Sequence, residues 1–184
     1  MTTEQMWQIS GMHLAPYIQV ATHLIGHSRE GGGNMFRHQL DTLGILIDYG
    51  YVNSVLLKAS LVHDVLEDIP DFNHNIILSI DTDSAAVYSL VLEVTRKQGE
   101  TKPDFLTRIY ETGSFDAKTL KVADRISNMI SLGFVNNLAF VDRYINETEK
   151  YLFPLAAQVN GNMLTELTDL VKIKRKYLED INYK

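Results

Sequence analysis

The stretch Leu61-Val-His-Asp-Val-Leu-Glu-Asp-Ile69 combines an apolar stripe with a dense polar patch. At the helical step of about 100° per residue, its apolar side chains recur at i, i+3, i+4 and i+7, the spacing of a face that packs on a core. The polar patch places one imidazole and three carboxylates within about one helical turn. Its members are His63, Asp64, Glu67 and Asp68. Carboxylates this close repel one another unless a cation or a shared proton lies among them, so the patch is either a solvated helix face or an active centre.

Length and composition indicate one domain. With 184 residues, 45% of them hydrophobic, the chain is long enough for one core and hardly for two. We expect a single cytoplasmic domain over residues 1–184, since neither a signal peptide nor an apolar run of about 20 residues is evident. The net charge of −6 argues against a nucleic-acid-binding surface. The absence of cysteine excludes thiolate ligands, so any metal must be held by imidazole and carboxylate, which suit Mn, Fe, Zn, Mg or Ni.

Helical spacing of apolar residues recurs along nearly the whole chain, so the sequence predicts an all-α fold. Helices are predicted over residues 16–26, 36–49, 52–69, 83–93, 103–110, 115–132, 139–159 and 163–178. The segment 71–80 favours a short helix over a strand, and Gly133 is expected to end the helix before it. The residues of the last helix that are expected to face the core are Leu164, Leu167, Leu170, Val171 and Ile173. The loop 27–34, with three consecutive glycines, is either a ligand clamp that carries Arg29 or a simple turn.

A second polar constellation lies in Lys121-Val-Ala-Asp-Arg-Ile-Ser-Asn128. Asp124 and Asn128 share a helix face at i, i+4. Taken alone, Asp124 beside Arg125 is more typical of a surface ion pair than of a functional site. In an earlier helix, His38 alone is more typical of a packed, hydrogen-bonded side chain than of a ligand. A metal at the patch of the first segment nevertheless needs further ligands from other helices, and these residues offer them.

Together these residues form the pattern H…HD…D, which resembles that of the HD superfamily of metal-dependent phosphohydrolases. The segment 61–69 is similar to the HD-x-x-ED signature of RelA/SpoT-type hydrolase domains, and the segment 121–129 to their K-x-A-D-[RK]-x-x-N motif. Arg29 stands nine residues before His38, as the family's arginine stands before its first histidine ligand. The segment 147–156, Glu-Thr-Glu-Lys-Tyr-Leu-Phe-Pro-Leu-Ala, resembles their E-T-x-x-x-[YF]-x-P-L-A helix.

The resemblance covers about residues 20–160 and implies a single HD-type helical bundle that acts as a stand-alone small alarmone hydrolase. The implied substrate is guanosine 3′,5′-bis(diphosphate) or its 5′-triphosphate form, (p)ppGpp, cleaved to GDP or GTP and pyrophosphate. The implied metal is Mn²⁺, which would polarise a phosphoryl oxygen and activate water. The implied metal ligands are His38, His63, Asp64 and Asp124.

The resemblance also suggests roles for the surrounding polar residues. Glu67 and Asp68 lie one turn beyond the ligands and would orient or deprotonate the water. Asn128 would hold the water or a substrate oxygen, and Arg29 would stack on the purine. The candidate phosphate contacts are Lys97, with Arg96 beside it, and Arg143.

Three departures from the family pattern leave the substrate open. Acidic Glu30 stands where relatives carry a cationic or small polar residue, and Gln39 stands where relatives carry proline. The family's V-T-D-D stretch reads Val94-Thr-Arg-Lys97, with two bases in place of two acids. Because we expect these departures at the pocket rim, two alternatives remain. One is a phosphohydrolase of another nucleotide, such as a nucleoside monophosphate or NADPH; the other is a non-catalytic alarmone-binding module, which predicts damage to the metal set where none is visible.

Overall fold

A computed structural model gives the structure of residues 1–30, 32–132 and 137–182. Within these ranges the regular structure is helical, apart from one isolated β-bridge between Ser28 and Asn34. The all-α prediction is therefore confirmed. No helix in the described part of the chain is long and apolar enough to cross a membrane.

The α-helices follow one another through short connections. In chain order they are α1 (Thr3–Ser10), α2 (Ala15–Ala21), α3 (Met35–Asp48), α4 (Ser54–Val62), α5 (Val65–Asp68), α6 (Asn75–Leu78), α7 (Ser84–Val94), α8 (Lys102–Thr112), α9 (Phe115–Ser131), α10 (Leu138–Glu147), α11 (Phe153–Val159) and α12 (Gly161–Asn182). A 3₁₀ turn over Thr22–Leu24 extends α2, and a π-helix over Thr148–Leu152 joins α10 to α11. The short helix favoured for the segment 71–80 is confirmed as α6.

The helix predicted over 52–69 is divided in two. Helix α4 ends at Val62 and α5 begins at Val65, so His63 and Asp64 lie in a turn between them. Apolar periodicity does not reveal the break, because Val62 and Val65 are both fully buried and keep the i, i+3 spacing across it. On an unbroken helix, neighbouring side chains diverge by about 100°. The turn instead lets both side chains approach one point, with His63 Nε2 3.3 Å from Asp64 Oδ2.

Helix α1 is absent from the sequence prediction, although its N-terminus carries a recognisable signal. The Thr2 hydroxyl accepts a hydrogen bond from the Gln5 N–H at 3.2 Å, and the Gln5 side chain accepts one from the Thr2 N–H at 2.7 Å. This reciprocal pair is a capping box. None of the side chains of α1 is buried, although Ile9 packs partly against the core.

Helix α9 is the central element of the fold. Its side chains from Thr119 to Ser127 are all buried, and the helix packs against α3, α7, α11 and α12. It begins after Ser114, whose hydroxyl caps the Ala117 N–H, while the end predicted at Gly133 lies outside the described residues. Because α9 is enclosed, its charged side chains need internal partners. Helix α3 packs on both α9 and α4, so polar groups from three helices meet inside the bundle.

The predicted core face of the last helix is partly confirmed. In α12, Leu167 and Val171 are buried, and Leu164 and Leu170 pack on the core. The inward placement of Ile173 is wrong, since that side chain is 62% exposed. Two residues beyond Val171 corresponds to about 200° around a helix, which turns Ile173 towards solvent.

We expect Leu120→Ala to lower the free energy of unfolding by about 2–5 kcal/mol, because its fully buried side chain lies on the central helix and would leave a cavity. The control Ile173→Ala, on an exposed face, should change it by about 0.5 kcal/mol or less. Urea denaturation followed by circular dichroism measures both. Equal losses would contradict the central position of α9.

Candidate active site

Three parts of the bundle bring the predicted metal ligands into one cluster. The candidate ligand atoms of His38 on α3, His63 after α4 and Asp124 on α9 all lie within 4.8 Å of one another, and all three residues are buried. The Nε2 atom of His38 is 3.0 Å from Asp124 Oδ1. Asp64 Oδ2 lies 3.4 Å from Nε2 of His38 and 3.3 Å from Nε2 of His63. The structure thus brings all four side chains together.

The hydrogen bonds of the two imidazoles leave one nitrogen of each facing the cluster. His63 Nδ1 is 2.7 Å from the carbonyl oxygen of Ser60, which can only accept, so Nδ1 carries a proton and Nε2 is the nitrogen that faces the cluster. That Nε2 is buried and has no hydrogen-bond partner. His38 Nδ1 contacts Ser127 Oγ at 2.8 Å, which leaves its Nε2 beside the carboxylates. Imidazole and carboxylate lone pairs that converge in this way fit a divalent cation.

Asp124 is kept ionised by an internal lysine. Burial alone would raise the pKa of Asp124, but the Lys121 ammonium and the two nearby histidines hold it well below its usual value. Lys121 Nζ donates to Asp124 Oδ2 at 2.6 Å, while Oδ1 faces His38. Burial lowers the pKa of His38, so its imidazole is neutral near pH 7. An ionised carboxylate beside a neutral imidazole is the state that metal ligation requires.

Asn128 is engaged on both sides of its amide. Its Nδ2 donates to the Asp124 backbone carbonyl at 2.9 Å and also to Asp124 Oδ1, while its Oδ1 accepts from the Arg29 guanidinium. Arg29 also donates to Ser131 Oγ at 3.4 Å. The glycine-rich loop, of which Gly31 lies outside the described residues, is thereby tied to the cluster. Asn128 and Arg29 are therefore hydrogen-bonded to each other at the cavity wall. The contact of Asn128 with water or a substrate oxygen and that of Arg29 with the purine stay predictions.

The two carboxylates predicted to act on water, Glu67 and Asp68, both line the cavity next to the cluster. Desolvation in the cavity and the charges of Asp64 and Glu67 raise the pKa of Asp68 to about 6. Such a carboxylate is ionised at neutral pH and still basic enough to accept a proton. Arg96 Nε lies 3.9 Å from Glu67 Oε1 in an exposed pair.

The cluster opens into a cavity of about 860 Å³, a volume typical of small-molecule sites. The cationic side chains that line it, among the described residues, are Arg29, Arg96, Lys102, Lys121, Arg125, Arg143 and Lys150. The acids of the lining are Glu30, Asp64, Glu67, Asp68, Asp124 and Glu147. The cavity therefore has no acidic excess, although the whole chain carries 23 acidic against 17 basic residues. A cavity with this many cations favours an anionic ligand, more so once a metal ion is added.

Of the two predicted phosphate contacts, Arg143 lies in the cavity wall and Lys97 lies outside it. Arg143 lines the cavity, with its guanidinium 5.6 Å from the centre of the Phe140 ring. The side chain of Lys97 is exposed, and the lining includes its neighbour Arg96 instead. Gln39 is fully buried, so its expected position at the pocket rim is wrong.

Two lysines of the cavity wall were missing from the predicted site. Desolvation, together with the neighbouring cations Lys121 and Arg125, lowers the pKa of Lys102 to about 8. The sequence gives no signal for Lys102, because a lysine in the first turn of a helix is ordinarily solvated. For Lys121 the sequence does give a signal, since its i, i+3 spacing to Asp124 places the two charges on one helix face.

Arg125 is the third residue that sequence reasoning missed. Its side chain is 1% exposed, lies 4.0 Å from the centre of the Tyr144 ring and donates to Glu147 and, at 3.2 Å, to Thr148 Oγ1. The surface ion pair considered for Asp124 and Arg125 is therefore wrong, because both side chains are buried and Arg125 pairs with another carboxylate.

The helices around the buried histidine and aspartate cluster form an all-α bundle, as the sequence predicts. No protein-family model matches the chain, and a search of curated proteins finds no match. A solved structure with the same fold is that of a metazoan orthologue of SpoT, which hydrolyses ppGpp and plays a role in starvation responses. The two chains share 21% sequence identity, with a TM-score of 0.72 over 88% of this chain and 94% of that chain.

We expect Glu147→Leu to destabilise the protein more than Arg125→Met does. Removing the carboxylate leaves a guanidinium that is 1% exposed without its counter-ion, a loss of about 3 kcal/mol or more. Removing the arginine leaves a carboxylate that is 21% exposed and can reach water. Urea unfolding of the metal-free variants measures the difference, with the exposed-pair variant Lys172→Met as a control. The reverse order would contradict this asymmetry.

Proposed function

We propose that this protein is a Mn²⁺-dependent hydrolase that removes the 3′-pyrophosphate of (p)ppGpp. The observation that carries the proposal is the buried cluster of His38, His63 and Asp124, with an unpartnered imidazole nitrogen, at the end of a cavity rich in cations. The same fold in a SpoT orthologue that hydrolyses ppGpp supports this choice among nucleotides. The proposal places the activity in one domain over residues 1–184, acting on a small molecule in the cytoplasm.

The metal would be held by four side chains, His38, His63, Asp64 and Asp124. Two imidazoles and two carboxylates suit Mn²⁺. Other divalent ions that bind nitrogen and oxygen ligands also fit this set. When bound, the metal supplies positive charge that stabilises the phosphoryl group as it is attacked.

The chain's own residues then handle the water and the proton. In the proposed reaction a water oxygen bonds to the phosphorus next to the 3′ oxygen, and the bond between that phosphorus and the 3′ oxygen breaks. Asp68, with Glu67 beside it, accepts a proton from the water and then passes it to the 3′ oxygen, which leaves as a hydroxyl. Asn128, fixed by Arg29 and Asp124, holds the reacting groups in place. The products are GDP or GTP and pyrophosphate.

The cations of the wall would bind the remaining phosphate charge. Lys102 and Arg125 lie in the wall near the cluster, and Arg143 lines the same cavity. The exposed side chain of Lys97, next to Arg96, remains a proposed contact for a substrate phosphate. The planar face of the Arg29 guanidinium is the proposed support for the purine.

We expect the purified protein with Mn²⁺ to release pyrophosphate from ppGpp. A panel of ppGpp, pppGpp, nucleoside monophosphates and NADPH, separated by anion exchange with and without Mn²⁺, measures the products. Turnover of the other nucleotides with ppGpp left intact would contradict the proposed substrate.

The matched variants for this assay are Asp64→Ala and Asp169→Ala. The first removes a proposed ligand, so hydrolysis and bound Mn²⁺ should both be lost while the helical circular dichroism spectrum persists. The second removes an exposed carboxylate of α12 and should leave both unchanged. Full turnover by Asp64→Ala would refute the ligand set.

We expect the KM for ppGpp to rise by up to about tenfold between pH 7 and pH 9, since Lys102 loses its charge as the pH passes its pKa of about 8. The charged groups around it are Lys121, Arg125, Glu147 and Asp124, and the pKa of Lys121 is raised, so Lys121 keeps its charge in this range. Lys102→Arg stays charged and should keep a flat KM profile. A wild-type profile as flat as that of the variant would exclude a role for Lys102 in binding.

A further inference from the structure

Gln39 is a fully buried side chain that directly follows His38 on α3. Its Nε2 donates a hydrogen bond to Asp64 Oδ2 at 2.9 Å. Its Oε1 is buried without a hydrogen-bond partner. The residue therefore uses one half of its amide on a member of the cluster and leaves the other half unsatisfied.

The chemistry of the contact fixes the orientation of the amide. A carboxylate oxygen only accepts, so turning the amide over would set Oε1 against Asp64 Oδ2 with no proton between them. The N–H must therefore face Asp64. The unsatisfied carbonyl is a consequence of that orientation.

A buried amide with one unsatisfied half costs folding free energy that an apolar side chain of similar shape would not. Features that work against stability are expected where function needs them. The contact made in return is to Asp64 Oδ2, the same atom that lies 3.4 and 3.3 Å from the two imidazole nitrogens.

Asp64 needs such a contact more than Asp124 does. Asp124 lies within a regular helix, and both Lys121 and Asn128 donate to its carboxylate. Asp64 lies in the turn between α4 and α5 and its side chain is one-fifth exposed, so its carboxylate has more freedom to rotate away.

We propose that Gln39 is a positioning residue that holds the Asp64 carboxylate against the two imidazoles for metal binding. This inference rests on the proposed metal centre. Hydrogen-bond partners of metal ligands contribute roughly 10- to 100-fold to metal affinity, and that is the effect we assign to Gln39.

The test is a calorimetric titration of the metal-free protein with Mn²⁺, with thermal unfolding of the same samples in a chelator. Gln39→Met keeps the volume but cannot donate, and Gln39→Leu is a second apolar variant. Leu46→Met is the control, since Leu46 is buried on the same helix and belongs to the apolar core.

We expect both Gln39 variants to raise the Kd for Mn²⁺ by about 10- to 100-fold with one site retained. Their metal-free thermal midpoints should equal or exceed that of the wild type, because the unsatisfied carbonyl is gone. Leu46→Met should keep the wild-type Kd.

Two results would overturn the role of Gln39 without affecting the proposed metal centre. One is a Kd within twofold of the wild type in both variants. The other is a loss of affinity that appears only together with a lower metal-free midpoint, which would make Gln39 a structural residue. Wild-type protein that binds no Mn²⁺ would instead overturn the proposed metal centre, and the inference with it.

Discussion

The site depends first on the ion pair between Lys121 and Asp124. Both side chains are enclosed in the bundle, where an uncompensated carboxylate would take up a proton. The lysine donates a hydrogen bond to Oδ2 of Asp124, while Oδ1 faces His38. A single internal cation thus makes it possible for α9 to carry an anionic ligand at the centre of the fold.

Around this pair, the acidic and the basic side chains of the cavity occupy different places. The imidazoles and most of the carboxylates gather at the cluster, while Lys102 and Arg125 belong to a wall of cations beside it. A ligand with several phosphate groups matches both parts, since one phosphate can approach a metal ion while others meet the cations. This local arrangement is invisible in the net charge of −6, which reports the solvated surface as well.

The sequence predicts the helical class well, because apolar residues recur at a regular helical spacing. The candidate ligands follow instead from the resemblance of two short motifs to a known family, and the structure brings these side chains close together. It fails where a contact depends on packing between helices. The break between α4 and α5 is hidden by two buried valines that preserve the apolar period, and the burial of Arg125 depends on Tyr144 and Glu147 from a distant segment. Helix α1 shows the opposite case, since the residues of its capping box stand in the sequence as a local signal that the prediction did not use.

The π-helix between α10 and α11 sets the rotation of the helical segment that follows it. A π-turn accommodates one residue more than the α-helical ladder would, and its flanks keep their own phases. Tyr144 and Glu147 before it, and Lys150 and Tyr151 within it, all face the same cavity. Removal of one residue here would restore a plain α-helix but rotate everything downstream by about 100°. A deletion in this segment would therefore turn the packing face of α11 away from α9 and α12, against which the helix lies.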